Sequence, residues 1–510
     1  MSQFSHFNFP AAKRAAKIGI FCYLKKGTVS FQRGLPRFGK QTITTDPQNL
    51  YMKRPILRIG ILLLLIVLTY AFWYAWRAFP VITGYKAKLI ASAFFLQHHQ
   101  PSAIIKEEDL DKFPLSLASF SIDEKDSSVT ARVWGFAKRK VIFRKGLGCT
   151  VLNDFTEAQV RSQHFDLPPT PTDSRDSILW PVGDKIDLNI PQNVNRNLLQ
   201  LAIDNGLRAK TMQGDSAQTR AVLVVYNGQI IGEKYAAGFD RHTVMLGWSM
   251  SKSFTAAQIG ILVKQGKLNV DQPAPVPEWK STSKEKITLK NILQQTTGLD
   301  FVENYTKPCS VTNMLFKHGD MAAYTAKLPL KYDPGTVFNY SSGNSNILSR
   351  IIRQTVGEKD YAAFPYTALF HKINCYSMVL EPDASGTYIG SSYSYATARD
   401  FARFGLLYYN NGNWQGEQIL PVNWVQESIH PSEADPQKQY GYQFWLNGID
   451  KKDPVKRIYP DLPTDMYFAD GRGGQDIYII PSKHLVVVRL GLYALDENKF
   501  LKDILTAINE

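Results

Sequence analysis

Ser249 and Lys252 stand three residues apart in the run Gly247-Trp248-Ser249-Met250-Ser251-Lys252-Ser253-Phe254. Residues 250–265 predict one helix, because Ala256, Ile259, Gly260 and Val263 give a small, apolar face at helical spacing. Side chains three apart share one side of a helix, so the Ser hydroxyl and the Lys amine can touch. A serine becomes a nucleophile when a neighbouring base takes its proton. A lysine is such a base once burial or a cationic neighbour lowers its pKa. The free N–H groups at the helix start also favour an oxyanion beside Ser249. The same four-residue pattern returns at Ser281/Lys284 and Ser283/Lys286, in a polar segment with no apolar stripe. Taken alone, Ser249 reads as well as a helix cap as it does as a nucleophile.

Two later runs supply matching chemistry. In Pro334-Gly335-Thr336-Val337-Phe338-Asn339-Tyr340-Ser341-Ser342-Gly343-Asn344, Pro-Gly makes a turn and a short extended piece presents Tyr340 before a helix over 346–355. A tyrosine beside a lysine ammonium is expected to lose its proton below its usual pKa of about 10 and to shuttle protons. By itself Tyr340 reads better as a packed aromatic with a hydrogen-bonded hydroxyl. In Ala469-Asp470-Gly471-Arg472-Gly473-Gly474-Gln475-Asp476, glycines at a strand start allow a ligand close to the backbone. A backbone N–H there can be the second donor of an oxyanion hole, and a glycine-rich bulge is the plainer alternative. Two strands, within the runs 469–481 and 485–491, are expected to be joined by a turn at Pro481-Ser482.

The elements that must hold these groups are legible nearby. Two β-rich runs, 221–226 and 229–235, flank Asn227-Gly228 and predict a hairpin that starts an antiparallel sheet just before Ser249. Helices are expected over 195–205 and from Thr288, the latter ending at Gly298. The Pro-, Asp- and Ser-rich stretch 170–187 reads as a connection, and 129–141 has strand character.

At the other end, residues 59–76 carry no charge and include the run Leu62–Leu65. With its flanks this stretch is long enough to cross a bilayer core of about 30 Å as a helix. Tyr70, Phe72, Trp73, Tyr74 and Trp76 gather at its far end, where an aromatic belt sits. Those bulky residues and the long basic region before them favour an uncleaved span over a signal peptide. Residues 1–54 hold ten Lys/Arg and one acid, so nine of the net +14 charges lie in this tail. That distribution places the N-terminus in the cytoplasm and the remainder on the outer, periplasmic side, and it argues against nucleic acid as a partner. The four cysteines, Cys22, Cys149, Cys309 and Cys375, show no zinc spacing, and Cys309 and Cys375, whose pairing the sequence leaves open, read as buried thiols. His98 and His99 point to different helix faces, so neither a metal nor any other cofactor is expected.

In order, the three runs resemble those of the class C β-lactamase and penicillin-binding-protein superfamily of serine hydrolases. The likeness is nearest to its esterase and 6-aminohexanoate-oligomer-hydrolase branch and covers roughly residues 179–510. The resemblance implies Ser249 as nucleophile, Lys252 as its base partner and Tyr340 as the tyrosine of a Tyr-x-Asn element. It implies backbone N–H groups of Ser249 and Gln475 as oxyanion donors, and Ser342, Arg472, Gly473 and Gly474 at the substrate. Two departures weaken a true β-lactamase activity. Ser342 replaces the asparagine, and Arg472 stands where the family has Lys or His, keeping charge in a planar fork that suits a carboxylate.

The expected architecture is α+β. A basic tail over 1–54 and one transmembrane helix over 55–79 lead into a membrane-proximal extension and linker over 80–178. A β-lactamase-like domain over 179–510 follows, its antiparallel sheet flanked by helices and carrying a mostly helical insertion at about 290–400. The expected function is a membrane-anchored serine hydrolase that cleaves a small ester or amide through an acyl-enzyme. One alternative is a Ser-His-Asp hydrolase using His371 or His484, although Ser251 stands where its nucleophile elbow would have the second glycine. Another is a non-catalytic binding or sensor protein that keeps the fold.

Overall fold

The computed structural model describes residues 48–171 and 174–508, with side chains described from Arg58 onward. The basic tail of 1–54 thus lies outside the described residues as far as residue 47. The chain forms two compact units, one ending at Arg77 and one running from Ala78.

Helix α1, Gln48–Ala91, begins in the first unit and is unbroken into the second. It holds an 18-residue window of mean hydropathy 2.1, none of it buried. This helix is long and apolar enough to cross a membrane. The apolar side chains of this stretch, Leu62 to Leu65 among them, stand exposed, unlike those of a core helix.

In the second unit, strands β1 (Ala118–Asp123), β2 (Ser128–Val133), β3 (Phe136–Arg144) and β4 (Gly148–Val151) form an antiparallel meander. Helix α2, Arg196–Leu207, is capped by the Asn195 side chain and precedes the hairpin β5 (Ala221–Tyr226) and β6 (Gln229–Tyr235). Helices α3 (Ser251–Lys264), α4 (Ser342–Val356) and α5 (Ala398–Tyr409) follow. Strands β7 (Trp445–Leu446), β8 (Tyr467–Gly471), β9 (Gln475–Ile480) and β10 (Leu485–Leu490) and helix α6 (Glu497–Thr506) complete the unit. The main sheet is antiparallel throughout, in the order β7-β8-β9-β10-β5-β6.

Its central strands are apolar at almost every position because both faces are covered. Leu223, Val225, Ile477, Ile479, Val486 and Val488 point to one core, shared with α3, α4 and α5. Val222, Val224, Tyr478, Ile480, Leu485 and Val487 point to the other, shared with α2 and α6. Successive residues alternate between faces, so a one-residue slip would exchange the two cores.

A third core joins the end of α1 and the meander to the rest of the unit. Tyr85, Leu89, Ile90, Val129 and Val141 pack there with Leu246, Trp248, Phe301 and Tyr393. Within it Lys88 meets Glu381 at 2.5 Å, and both side chains are buried. Glu381 also accepts from the Ser92 hydroxyl at 2.9 Å and the Cys149 N–H at 2.6 Å. Lys88 makes a further hydrogen bond to the Cys149 carbonyl. An ion pair this deep is tolerated because the remaining donors and acceptors are matched. Among the described residues Cys149, Cys309 and Cys375 are free thiols, with Cys309 only half-buried.

Candidate active site

A single 3-10 turn, Trp248–Met250, leads directly into α3. Three contacts fix it. The short strand Met245–Leu246 pairs with Ser394–Ala396, the Gly247 N–H donates to the Ser394 carbonyl at 2.8 Å, and the Ser251 hydroxyl donates to the Trp248 carbonyl at 2.7 Å. Trp248 has φ of +46°, a left-handed conformation that bulky side chains rarely adopt. Strain of that kind persists where the surroundings over-determine the backbone, and such places are often functional.

The turn and α3 place Ser249 and Lys252 together as the three-residue spacing requires. Lys252 Nζ donates to Ser249 Oγ at 2.9 Å, to Ser342 Oγ at 3.2 Å and to the Ser391 carbonyl at 3.0 Å. The three acceptors match the three donors of an ammonium. Lys252 is 1% exposed, and this burial lowers its pKa to about 8, against the upward pull of the Glu303 and Asp470 carboxylates. A neutral amine that close to a hydroxyl can take its proton.

Tyr340 enters from the extended piece before α4. Its ring lies 4.9 Å from Lys252 Nζ, stacks on Trp445 at 5.3 Å and meets Tyr440 edge-on at 5.7 Å. Its hydroxyl bonds with Ser249. The expectation that it would ionise below its usual pKa is corrected here. Burial among aromatic rings raises its pKa well above 10, and the hydrogen bond with Ser249 opposes that only in part. Desolvation of the phenolate outweighs the nearby amine, and the group stands as a neutral hydroxyl.

Ser342, the first residue of α4, is fully buried. Its hydroxyl donates to Glu303 Oε1 at 2.6 Å and its N–H to Glu303 Oε2 at 2.9 Å. The Tyr305 hydroxyl also donates to Glu303, at 2.8 Å. A hydrogen-bonded line thus runs from Ser249 through Lys252 and Ser342 to a half-buried carboxylate. Glu303, Tyr305 and Ser391 were not singled out from sequence. They lie in loops without periodicity or motif, 39, 37 and 49 residues from Ser342 respectively, and only the fold brings them there.

The glycine-rich run forms the turn between β8 and β9. Both strands pack on the Trp248–Met250 turn. At Gly471 an added Cβ would lie 2.2 Å from the Gly247 carbonyl oxygen, so only glycine allows this approach. Gly473 and Gly474, at φ of +84° and +77°, turn their carbonyls to the Arg489 guanidinium, each at 2.8 Å. The Gln475 side chain is tied to the Gly491 carbonyl. Arg472 lies with its guanidinium over the Trp248 ring at 5.5 Å and donates to the Tyr85 hydroxyl, a residue of α1. The histidines of the alternative triad lie among other groups. His371 packs beside Tyr366 and Tyr376, and His484 pairs with the Tyr409 hydroxyl at 2.8 Å.

This geometry can be set beside known proteins. The sequence profile of the Beta-lactamase family matches residues 207–491, more than half of the chain. The chain belongs to the Beta-lactamase family. It is 26% identical over 304 residues to a 6-aminohexanoate-dimer hydrolase of Paenarthrobacter ureafaciens, covering 53% of this chain and 72% of that protein. Protein flp of Staphylococcus aureus is 33% identical over 121 residues, 23% of this chain and 24% of its own length. Among solved structures, a putative 6-aminohexanoate-dimer hydrolase from Bacillus anthracis superposes with a TM-score of 0.48 at 21% identity. That match covers 70% of this chain and 94% of the other. The α+β architecture, the expected superfamily and the branch agree with these matches, and the family is one of hydrolases.

Proposed function

We propose that this chain is a membrane-anchored serine hydrolase that opens a small ester or amide through an acyl-enzyme on Ser249. The observation that carries the proposal is the 2.9 Å contact between Ser249 Oγ and a buried Lys252 amine whose pKa lies about 8. Ser249 Oγ attacks the substrate carbonyl carbon while its proton passes to Lys252 Nζ. The Ser249 N–H steadies the oxyanion, together with an N–H of the β8–β9 turn, for which Gln475 is the candidate. As the carbon–heteroatom bond breaks, the leaving alcohol or amine takes a proton from Lys252 by way of the Tyr340 hydroxyl. Water then attacks the acyl carbon, Lys252 takes its proton, and Ser249 departs with the hydrogen restored. Ser342 keeps Lys252 aligned, and Gly473, Gly474 and Arg472 border the acyl site. The relative named for a 6-aminohexanoate dimer supports an amide as substrate, and the cationic Arg472 supports one that bears a carboxylate. The exposed apolar stretch of α1 supports the anchor, and the basic tail supports a cytoplasmic N-terminus with the hydrolase unit on the far, periplasmic face.

The test is covalent labelling of the full chain by a fluorophosphonate, with turnover of a short-chain p-nitrophenyl ester. Labelling and turnover lost together in Ser249→Ala and Lys252→Ala support the proposal. Turnover that survives Ser249→Ala refutes it, and neither labelling nor turnover in the unaltered chain favours a non-catalytic binding protein.

A further inference from the structure

The second unit exposes three large aromatic side chains on segments that share one apolar cluster. Phe113, Trp134 and Phe136 are 69%, 70% and 69% exposed. Trp134 and Gly135 form the two-residue turn between β2 and β3, closed by the Val133–Phe136 pair, with φ of +47° and +88°. Turns of that geometry favour Asn or Gly at the position where Trp134 stands. A bulky ring here is disfavoured both by its backbone and by its contact with water, so the fold alone gives no reason for it.

What lies beneath the rings points to their partner. The Trp134 ring meets Phe79 of α1 edge-on at 5.6 Å. Ala78, Phe79, Ile82, Leu115, Leu117, Ala118 and Val133 form a small apolar cluster at the base of both projections. Thr83 of α1 donates to the Ala137 carbonyl at 2.7 Å, holding the hairpin. Lys86 of α1 donates to the carbonyls of Leu110 and Leu115 at 3.0 and 3.1 Å, holding the loop that carries Phe113. Both projections are therefore fixed to the first turns of α1 that belong to this unit. In the chain, Ala78 directly follows the exposed apolar stretch. Arg132 and Lys138 stand exposed near Trp134 and Phe136 in the chain, and Lys112, next to Phe113, is exposed and pairs with Asp109 at 2.8 Å. Aromatic rings flanked by cations suit the headgroup layer of a bilayer, where the ring has an apolar body to bury and the cations meet phosphate.

We infer that Phe113, Trp134 and Phe136 form a collar that seats the second unit on the lipid headgroup layer of the same membrane that α1 crosses. The inference rests on the proposed span and adds to it a second, peripheral contact that fixes the unit's stance on the bilayer. Exposed aromatic rings that rise from one apolar cluster mark an interaction site, and the chain's continuity with α1 favours lipid over protein as the occupant.

The test uses the full chain, grown with fluorotryptophan and reconstituted in bilayer nanodiscs of mixed zwitterionic and anionic phospholipid. The fluorine signal of Trp134 is assigned by its loss in Trp134→Phe, and those of Trp73 and Trp76 by the same substitution at each. The expected result is that a headgroup nitroxide lipid erases the Trp134 signal while a water-soluble nickel chelate leaves it. A Trp134 signal erased by the chelate and spared by the lipid overturns the collar while Trp73 and Trp76, quenched from within the bilayer, uphold the span. If the chelate erases all three, the span falls and the collar with it. A Trp134 signal spared by both agents also overturns the lipid assignment, because a protein surface then covers the ring.

Discussion

Replacing Glu303 with glutamine tests the charge balance at Lys252. Lys252 Nζ and Glu303 Oε1 both contact Ser342 Oγ, at 3.2 and 2.6 Å. Their charges are therefore at most about 6 Å apart, and at an effective dielectric of about 20 they attract by about 2.8 kcal/mol, or about 2 pH units. Glu303 is half-buried, and the water that reaches it roughly halves this to about 1 unit. The carboxylate favours the ammonium, so its removal lowers the Lys252 pKa from about 8 to about 7. In the proposed mechanism the neutral amine is the active form, so fluorophosphonate labelling should rise with pH to a plateau above that pKa. Glu303→Gln therefore moves the rising limb to lower pH, and at pH 7 the variant reaches about half of its own plateau where the unaltered chain reaches about a tenth. Labelling rates from pH 5.5 to 9.5, each set normalised to its plateau, separate this shift from any loss of alignment at Ser342. A limb that stays in place, or moves to higher pH, refutes the reasoning.

Tyr340→Phe keeps the ring on Trp445 but removes the hydroxyl, so turnover should fall by about a hundredfold or more while the limb near pH 8 stays where it is, as read by ester hydrolysis against pH. Lys88→Met leaves the Glu381 carboxylate buried and without its cation, and should cost about 3–5 kcal/mol in thermal unfolding. Adding Glu381→Gln should restore much of that loss, because the uncompensated charge is gone while an acceptor for the Cys149 N–H remains. Gly471→Ala forces a methyl group against the Gly247 carbonyl and should destabilise by about 1–3 kcal/mol. It should also slow fluorophosphonate labelling, since the strand end and the Ser249 turn must part.

What sequence conveyed well was whatever depends on short spacing. The Ser249–Lys252 contact follows from three residues on a helix, and the β5–β6 hairpin from Asn-Gly between two β-rich runs. The two β-rich runs around Pro481-Ser482 declared a pair of strands, although not that both of their faces would be covered. Lost to sequence were the terms that depend on distant packing. Whether Tyr340 ionises is decided by Trp445 and Tyr440, about a hundred residues on. The occupation of Arg472 by Tyr85 crosses nearly the whole chain, so a guanidinium read as a ligand for substrate already has a phenol beside it. Glu303 shows the same blindness: an acid in an irregular loop carries no mark until Ser342 is folded against it.

The third core has a bearing on where this protein begins. Kinship with hydrolases is visible from residue 207, and the three motif runs start later still. Cooperativity starts earlier, because Leu89, Ile90, Val129 and Val141 share one interior with Trp248, the residue that immediately precedes Ser249, the proposed nucleophile. Ancestry and cohesion therefore draw different boundaries. A fragment trimmed to the recognisable part would expose the rear of the Trp248 turn to water, and it would forfeit Tyr85 and Lys88 together. The segment that looks like a stalk is, in physical terms, an organ of the hydrolase.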